Sequence, residues 1–180
     1  MAKQKKNVIL GVTGSIAIYK ACELVRILKQ SNINVIVLMT KEAQELVRPL
    51  TFRTLSGKRV YTDLFSKESE WDEYHVSLAG KANLIVIAPA TANIIAKLAA
   101  GICDDLLSST VIATKAKILI APAMHEVMFK HPVTQENIAK LKKIGYQFIG
   151  PLKGKLASGD VGWGRLVDVA DIAKRIKQLL

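Results

Sequence analysis

The sequence predicts a doubly wound, three-layer α/β fold built on one parallel sheet. Three observations carry that expectation. Short aliphatic runs recur along the chain without the polar alternation of a half-exposed strand. Segments with apolar residues three and four apart separate these runs, as amphipathic helices require. Several runs end in small or hydroxyl residues, and ligands bind beyond such strand ends in open α/β sheets.

Taken in order, Val8 to Val12 is the first strand, ending in the turn "GVTGS". The following segment, "IAIYKACELVRILKQ", repeats apolar residues at Ile18, Cys22, Val25 and Leu28, a helical period. The run "NVIVLM" (34–39) is the second strand, "LIVI" (84–87) the third, "KILI" (117–120) the fourth and "QFI" (147–149) the fifth. Helical patterns fill 41–48, 91–100, 104–113 and 133–144. The tail "VDVADIAKRIKQLL" reads as a closing helix with Asp168 or Asp171 near its start. No repeat, low-complexity tract or linker interrupts the pattern, so residues 1–180 read as one domain.

A chain of 180 residues can bury a substantial core, and 50% hydrophobic content with 6% aromatics makes that core aliphatic. No apolar run approaches the roughly 20 residues of a membrane helix. The basic start "MAKQKKN" leads into only "VILGV", too short for a secretory signal, so a cytoplasmic location is expected. Cys22 and Cys103 fall in apolar helical patterns and read as two buried thiols rather than a disulfide. The net charge of +11 is dispersed over "KQKK", "KAK", "KLKK" and "KGK" without interleaved aromatics. That argues against single-stranded nucleic acid. It leaves a solvated basic surface or an anionic, phosphorylated small molecule as the partner. Neither nucleic acid nor membrane is expected as a partner, and no metal site is expected.

The turn "GVTGS" lets backbone approach a ligand, and the amides of Gly14, Ser15 and Ile16 would face a phosphate at the helix start. It lacks the third glycine of the dinucleotide fingerprint, and Thr40 stands where a ribose-binding acid would end the second strand. A mononucleotide or another phosphate is therefore favoured over NAD, with a purely structural turn as the alternative. Around one helix, "APATAN" and "CDDLLSST" offer Thr91, Asn93, Ser108 and Ser109 to a polar ligand, although Thr91 equally suits a helix cap. His75 is the natural base near neutral pH, whereas His131 lies in a polar turn and reads as surface. The stretch "ILIAPAMHEVMF" places His125 at the end of a buried strand. Lys153, Lys155 and Arg165 suit an anionic group or are ordinary solvated charge.

Together, "GVTGSIAIYK", "HVSLAGKANLIVIAPATANIIAKLAAGICDDLL", "APAMHEVMF" and "ASGDVGWGRL" resemble the flavin-dependent cysteine decarboxylases, most closely the phosphopantothenoylcysteine decarboxylases of coenzyme A biosynthesis. The resemblance implies a flavodoxin-like fold, homotrimers or homododecamers, and FMN near a subunit interface. It implies FMN decarboxylation of 4'-phosphopantothenoylcysteine to 4'-phosphopantetheine, in many organisms beside a phosphopantothenate–cysteine ligase domain. By position it assigns Gly14, Ser15, Ile16 and Thr40 to the FMN phosphate. It sets Thr91, Ala92, Asn93, Ile94, Ser108 and Ala123 around the flavin, and makes His75 a base acting on a neighbour's flavin. The motif Pro-x-Met-Asn-x-x-Met-Trp maps onto "PAMHEVMF", so Met124 and His125 fall in the substrate site, with His125 in place of a carboxylate-holding asparagine and Phe129 in place of tryptophan. Lys155 and Arg165 belong to the segment that closes over substrate. Ser158 replaces the cysteine expected to supply a proton to the enethiol, and serine is a much weaker acid than a thiol. Three alternatives follow: a peptidyl-cysteine decarboxylase stopping at the enethiol, a non-catalytic FMN-binding regulatory subunit, and a prenyl-transferring flavin relative.

Overall fold

The structure is a computed structural model that describes residues 5–65 and 74–180. Six strands form one parallel sheet: β1 (Asn7–Val12), β2 (Asn34–Met39), β3 (Val60–Tyr61), β4 (Leu84–Ala90), β5 (Lys117–Pro122) and β6 (Gln147–Phe148), in the order β3-β2-β1-β4-β5-β6. The chain leaves β1 toward β2 and β3, then crosses back to place β4 on the other side of β1. That reversal puts a topological switch between β1 and β4, where open α/β sheets part to admit a ligand.

Alternate residues of each strand feed two cores. Val8, Leu10 and Val12 join Leu84, Val86 and Leu119 against α1 (Ile18–Gln30) and α9 (Val169–Leu179). Ile9, Ile85, Ile87, Ile118 and Ile120 face the opposite way, against α5 (Ala92–Ala100), α6 (Leu106–Ala113) and α8 (Pro132–Lys143). Burial on both faces explains why the strands read as continuous aliphatic runs. Clearance between the layers is minimal at Gly11, where an added Cβ would lie 2.5 Å from Cδ1 of Leu107 on α6.

Several elements go beyond the periodicity. One is α3 (Pro49–Ser56), begun by proline at its first turn and ended by Gly57 at φ 67°, whereas α2 (Lys41–Leu46) fills the helical pattern expected over 41–48. Others are α4 (Tyr74–Lys81), the five-residue α7 (Glu126–Lys130), and an antiparallel hairpin of β7 (Leu152–Lys155) and β8 (Val161–Arg165). The two-residue edge strand β3 is too short to show any period. Cys103 corrects the expectation of two buried thiols: it is exposed in the segment ahead of α6, while Cys22 is partly buried on α1 and burial pushes its thiol pKa up. No helix of the described residues is long and apolar enough to cross a membrane.

Candidate functional site

The ends of β1, β4 and β5 open on a cavity of about 680 Å³, a size suited to a cofactor or small ligand. Thr13, 1% exposed, ties two of those ends together: its hydroxyl donates to Pro89 O (2.8 Å) and accepts from the Thr91 amide (3.1 Å). After β1 the chain turns through Gly14, Ser15 and Ile16, all lining the cavity. Helix α1 begins only at Ile18, two residues later than the pattern suggested, because the Ile18 amide donates to Ser15 O (2.9 Å) and closes a turn first. Its N-cap, Ala17, supplies no side-chain hydrogen bond, and the first helical turn holds no acid. The helix thus presents a positive, uncapped end to the cavity. Gly14 packs so closely on α2 that a Cβ would sit 2.5 Å from that of Glu42.

After β4, Thr91 and Ala92 line the cavity, and the Thr91 hydroxyl accepts from the Ile94 amide (3.4 Å) to cap α5. After β5 come Ala123, Met124 and His125. His125 is the N-cap of α7: Nδ1 accepts from the Val127 amide at 3.3 Å. In the neutral ring that bond leaves the proton on Nε2. Nε2 lies 4.0 Å from Oδ2 of Asp160, which also accepts from the Ser158 hydroxyl at 3.0 Å.

The hairpin forms the remaining wall through Lys155, Ser158 and Arg165. Its base is docked on the β5 end: the Met124 amide donates to Gly164 O (3.1 Å), and the Trp163 amide donates to Oε1 of Glu126 (3.1 Å). The bonds from Lys130 and from the Trp163 amide hold the Glu126 carboxyl below the usual range. Gly164 has φ 132°, and a Cβ there would fall 2.0 Å from Met124 O. Arg165 is paired with Asp168 at 2.8 Å.

Five expected residues lie elsewhere. Thr40 caps α2 by accepting from the Ala43 amide. Asn93 is exposed outside the cavity lining, and Ile94 is 1% exposed within the core, so its side chain cannot face a ligand there. Ser108 is fully buried, its hydroxyl engaged with Asp105 in the capping box of α6. His75 is half-buried on α4, apart from the cavity lining. His131 caps α8 through Nδ1, accepting from the Val133 amide. Residues the sequence reading passed over include Thr13, Tyr19, Lys20, Met128 and Asp160. Tyr19 and Lys20 follow Ile18 on the outward side of the α1 period, a signal that was available. Asp160 stood in plain view in "SGDVG", but only the folded hairpin turns it toward His125.

The family model described as Flavoprotein matches residues 1–180. A coenzyme A biosynthesis bifunctional protein CoaBC of Bacillus subtilis is 48% identical over 169 residues, which are 94% of this chain and 42% of that protein. Its counterpart in Vibrio vulnificus is 42% identical, covering 96% and 43%. The chain spans less than half the length of these curated relatives. Among solved structures, a cysteine-to-serine mutant of a PPC decarboxylase complexed with pantothenoylaminoethenethiol superposes with TM-score 0.88 at 29% identity, covering 97% of this chain and 98% of that one. The FMN-dependent cysteine decarboxylase SpaF gives 0.84 at 30%, covering 97% of each.

Proposed function

Because the chain belongs to the flavoprotein family, we propose that it binds FMN and decarboxylates 4'-phosphopantothenoylcysteine to 4'-phosphopantetheine. The observation that carries the reading is the convergence of the uncapped α1 end, the strand end bearing His125 and the hairpin tip bearing Ser158 on one cavity. The residues fit a flavin mononucleotide. Gly14 to Ile16 at a helix start suit its single phosphate, and Thr91, Ala92 and Ala123 leave room for a flat ring. Bound there, FMN would supply two-electron oxidation and re-reduction of the cysteine moiety, so that the carboxylate leaves readily.

The chain's own residues do the rest. The Nε2–H of His125 is the donor for the substrate carboxylate, and Met124 beside it belongs to the same substrate site. Lys155 and Arg165 offer positive charge to the substrate phosphate. Ser158, which lines the cavity from the hairpin tip, is the residue we assign as proton donor to the enethiol carbon. His75, apart from the cavity of its own chain, acts as a base toward a neighbouring subunit of a homotrimer or homododecamer. A ligase partner domain accords with the bifunctional CoaBC relatives, and a cytoplasmic location is part of the same proposal.

One observation favours a second reading in which turnover stops at the enethiol. The Ser158 hydroxyl donates to the Asp160 carboxylate, which ties up the proton of an already weak acid. Incubating the FMN-loaded protein with 4'-phosphopantothenoylcysteine and weighing the product separates the outcomes. Loss of carbon dioxide alone supports the main reading, loss of carbon dioxide with two hydrogens supports the enethiol stop, and unchanged substrate overturns both. Released cofactor that chromatographs as FAD overturns the FMN assignment.

A further inference from the structure

We propose that Glu126 is a positioning residue: its carboxylate latches the β7–β8 hairpin to the start of α7 and so fixes Lys155 on the cavity wall. The proposal rests on the substrate-site reading of the hairpin given above and names the side chain that holds it in place. The Trp163 amide donates to Oε1 of Glu126 at 3.1 Å, joining residues 37 positions apart. Oε2 lies against the same strand, where a Cβ added to Gly162 would fall 2.5 Å from it. Lys130, one helical turn on, meets Oε1 at 2.8 Å and steadies the carboxylate from the α7 side. Such an i,i+4 pair alone is ordinary helix-surface charge. The amide bond from a different element, made to the same oxygen, is what sets Glu126 apart. Glu126 directly follows His125, the N-cap of α7, so the substrate donor and the latch leave the end of β5 together.

The packing gives the latch its importance. On β8 the side chains of Val161 and Trp163 are exposed, while the alternate positions, Gly162 and Gly164, turn toward Glu126 and Met124 with no side chain to bury. Helix α7 buries none of its own residues. With little apolar area to cover, the seat depends on directed bonds. Two span the seam: the Glu126 bond, and the Met124 amide on Gly164 O. The second lies at the root of β8, beside Leu166 and Val167, which are buried in the core. The hairpin tip closes on its own atoms, with the Leu156 amide on Asp160 O and the Gly159 amide on Leu156 O. Trp163 pairs across the hairpin with Lys153, two residues before the cavity-lining Lys155. Holding Trp163 therefore holds the strand that carries Lys155.

The test compares FMN-loaded native protein with Glu126→Ala, Glu126→Gln and Lys130→Ala. Alanine removes the acceptor, glutamine keeps an Oε1 acceptor without the charge, and Lys130→Ala removes the helix pair alone. Amide hydrogen exchange at Trp163, followed by NMR, reads the latch directly. Calorimetric titration with 4'-phosphopantothenoylserine, which lacks the oxidisable thiol, reads the site without turnover. Glu126→Ala should speed Trp163 exchange about three- to tenfold and weaken the probe by a similar factor, the range one hydrogen bond supplies. Glu126→Gln and Lys130→Ala should stay near native in both readouts. In a Lys155→Ala background the further loss of affinity from Glu126→Ala should vanish. Unchanged Trp163 exchange in Glu126→Ala overturns the latch. A loss of affinity that survives in Lys155→Ala shows general loosening and overturns the positioning role, as does a Glu126→Gln or Lys130→Ala variant that behaves like Glu126→Ala. FMN-loaded native protein that does not bind the probe overturns the substrate-class reading and this proposal with it. If native protein binds the probe and Glu126→Ala binds it equally well, Glu126 positions nothing while the substrate-class reading stands.

Discussion

Gly164→Ala is the substitution that most directly asks whether the hairpin wall of the cavity depends on its seat at the end of β5. At φ 132° an alanine is strained whatever the space around it, at about 1–3 kcal/mol. The new Cβ would also lie 2.0 Å from Met124 O, against backbone that cannot rotate away, so the hydrogen bond from the Met124 amide to Gly164 O must break, a further loss of about 1 kcal/mol. A total near 3 kcal/mol corresponds to a fall in Tm of roughly 6–12 °C for a chain of this size. Gly159→Ala is the matched control. Gly159 also has positive φ, 96°, but no heavy atom lies within 4 Å of its added Cβ, so only the strain cost applies. Thermal unfolding followed by far-ultraviolet circular dichroism reads both variants, and titration with a substrate analogue reads the cavity. We expect Gly164→Ala to lose more stability than Gly159→Ala and to bind the analogue more weakly. A Tm within about 2 °C of native, with unchanged analogue binding, would refute the claim that the seat at Met124 holds the hairpin.

His125→Ala should weaken binding or decarboxylation of substrate by roughly one to two powers of ten, while His125→Asn, which keeps an N–H donor, retains most of it; steady-state kinetics decides. Ser158→Cys should raise the proportion of fully reduced product and leave carbon dioxide release nearly unchanged, because the proton is needed only after the carboxylate has gone; mass analysis of quenched reactions measures the ratio. Burial by itself would raise the Asp105 pKa, but the Ser108 amide, the Lys97 ammonium at 2.9 Å and the Ser108 hydroxyl outweigh it and hold the carboxyl below the usual range. With the folded value depressed, its contribution to stability is complete above the ordinary carboxylate pKa and is lost as the pH falls through the folded value. Urea unfolding between neutral and acid pH should therefore show a shallower acid decline for Asp105→Asn than for native protein, and parallel declines would contradict the assignment.

The sheet was legible because its central strands are buried on both faces, and aliphatic runs such as "LIVI" and "KILI" have no competing explanation once helical periods flank them. The strand-end residues Gly14, Thr91 and His125 followed from the topology. What escaped was short or non-local. Two residues of β3 carry no period, and five of α7 make little more than one helical turn. Helix α3 did carry proline at its start and glycine at its end, signals of the kind that bound helices. Ser108 and Ile94 looked available because motif position does not reveal which way a side chain turns: one is consumed in a capping box, the other in the core. Asp160 was invisible for the opposite reason. Its partner lies 35 positions earlier, and the two meet only after a hairpin folds back over β5.

The tight fit of Gly11 beneath Leu107 bears on how this domain can be diversified. The two positions share one fixed volume, although they lie on different elements far apart in sequence. A larger residue in β1 requires a smaller one in α6, so neither is free to vary alone. Chimaeras assembled from homologous parents should inherit β1 and α6 from the same parent, and crossovers that separate the two will be depleted among folded library members.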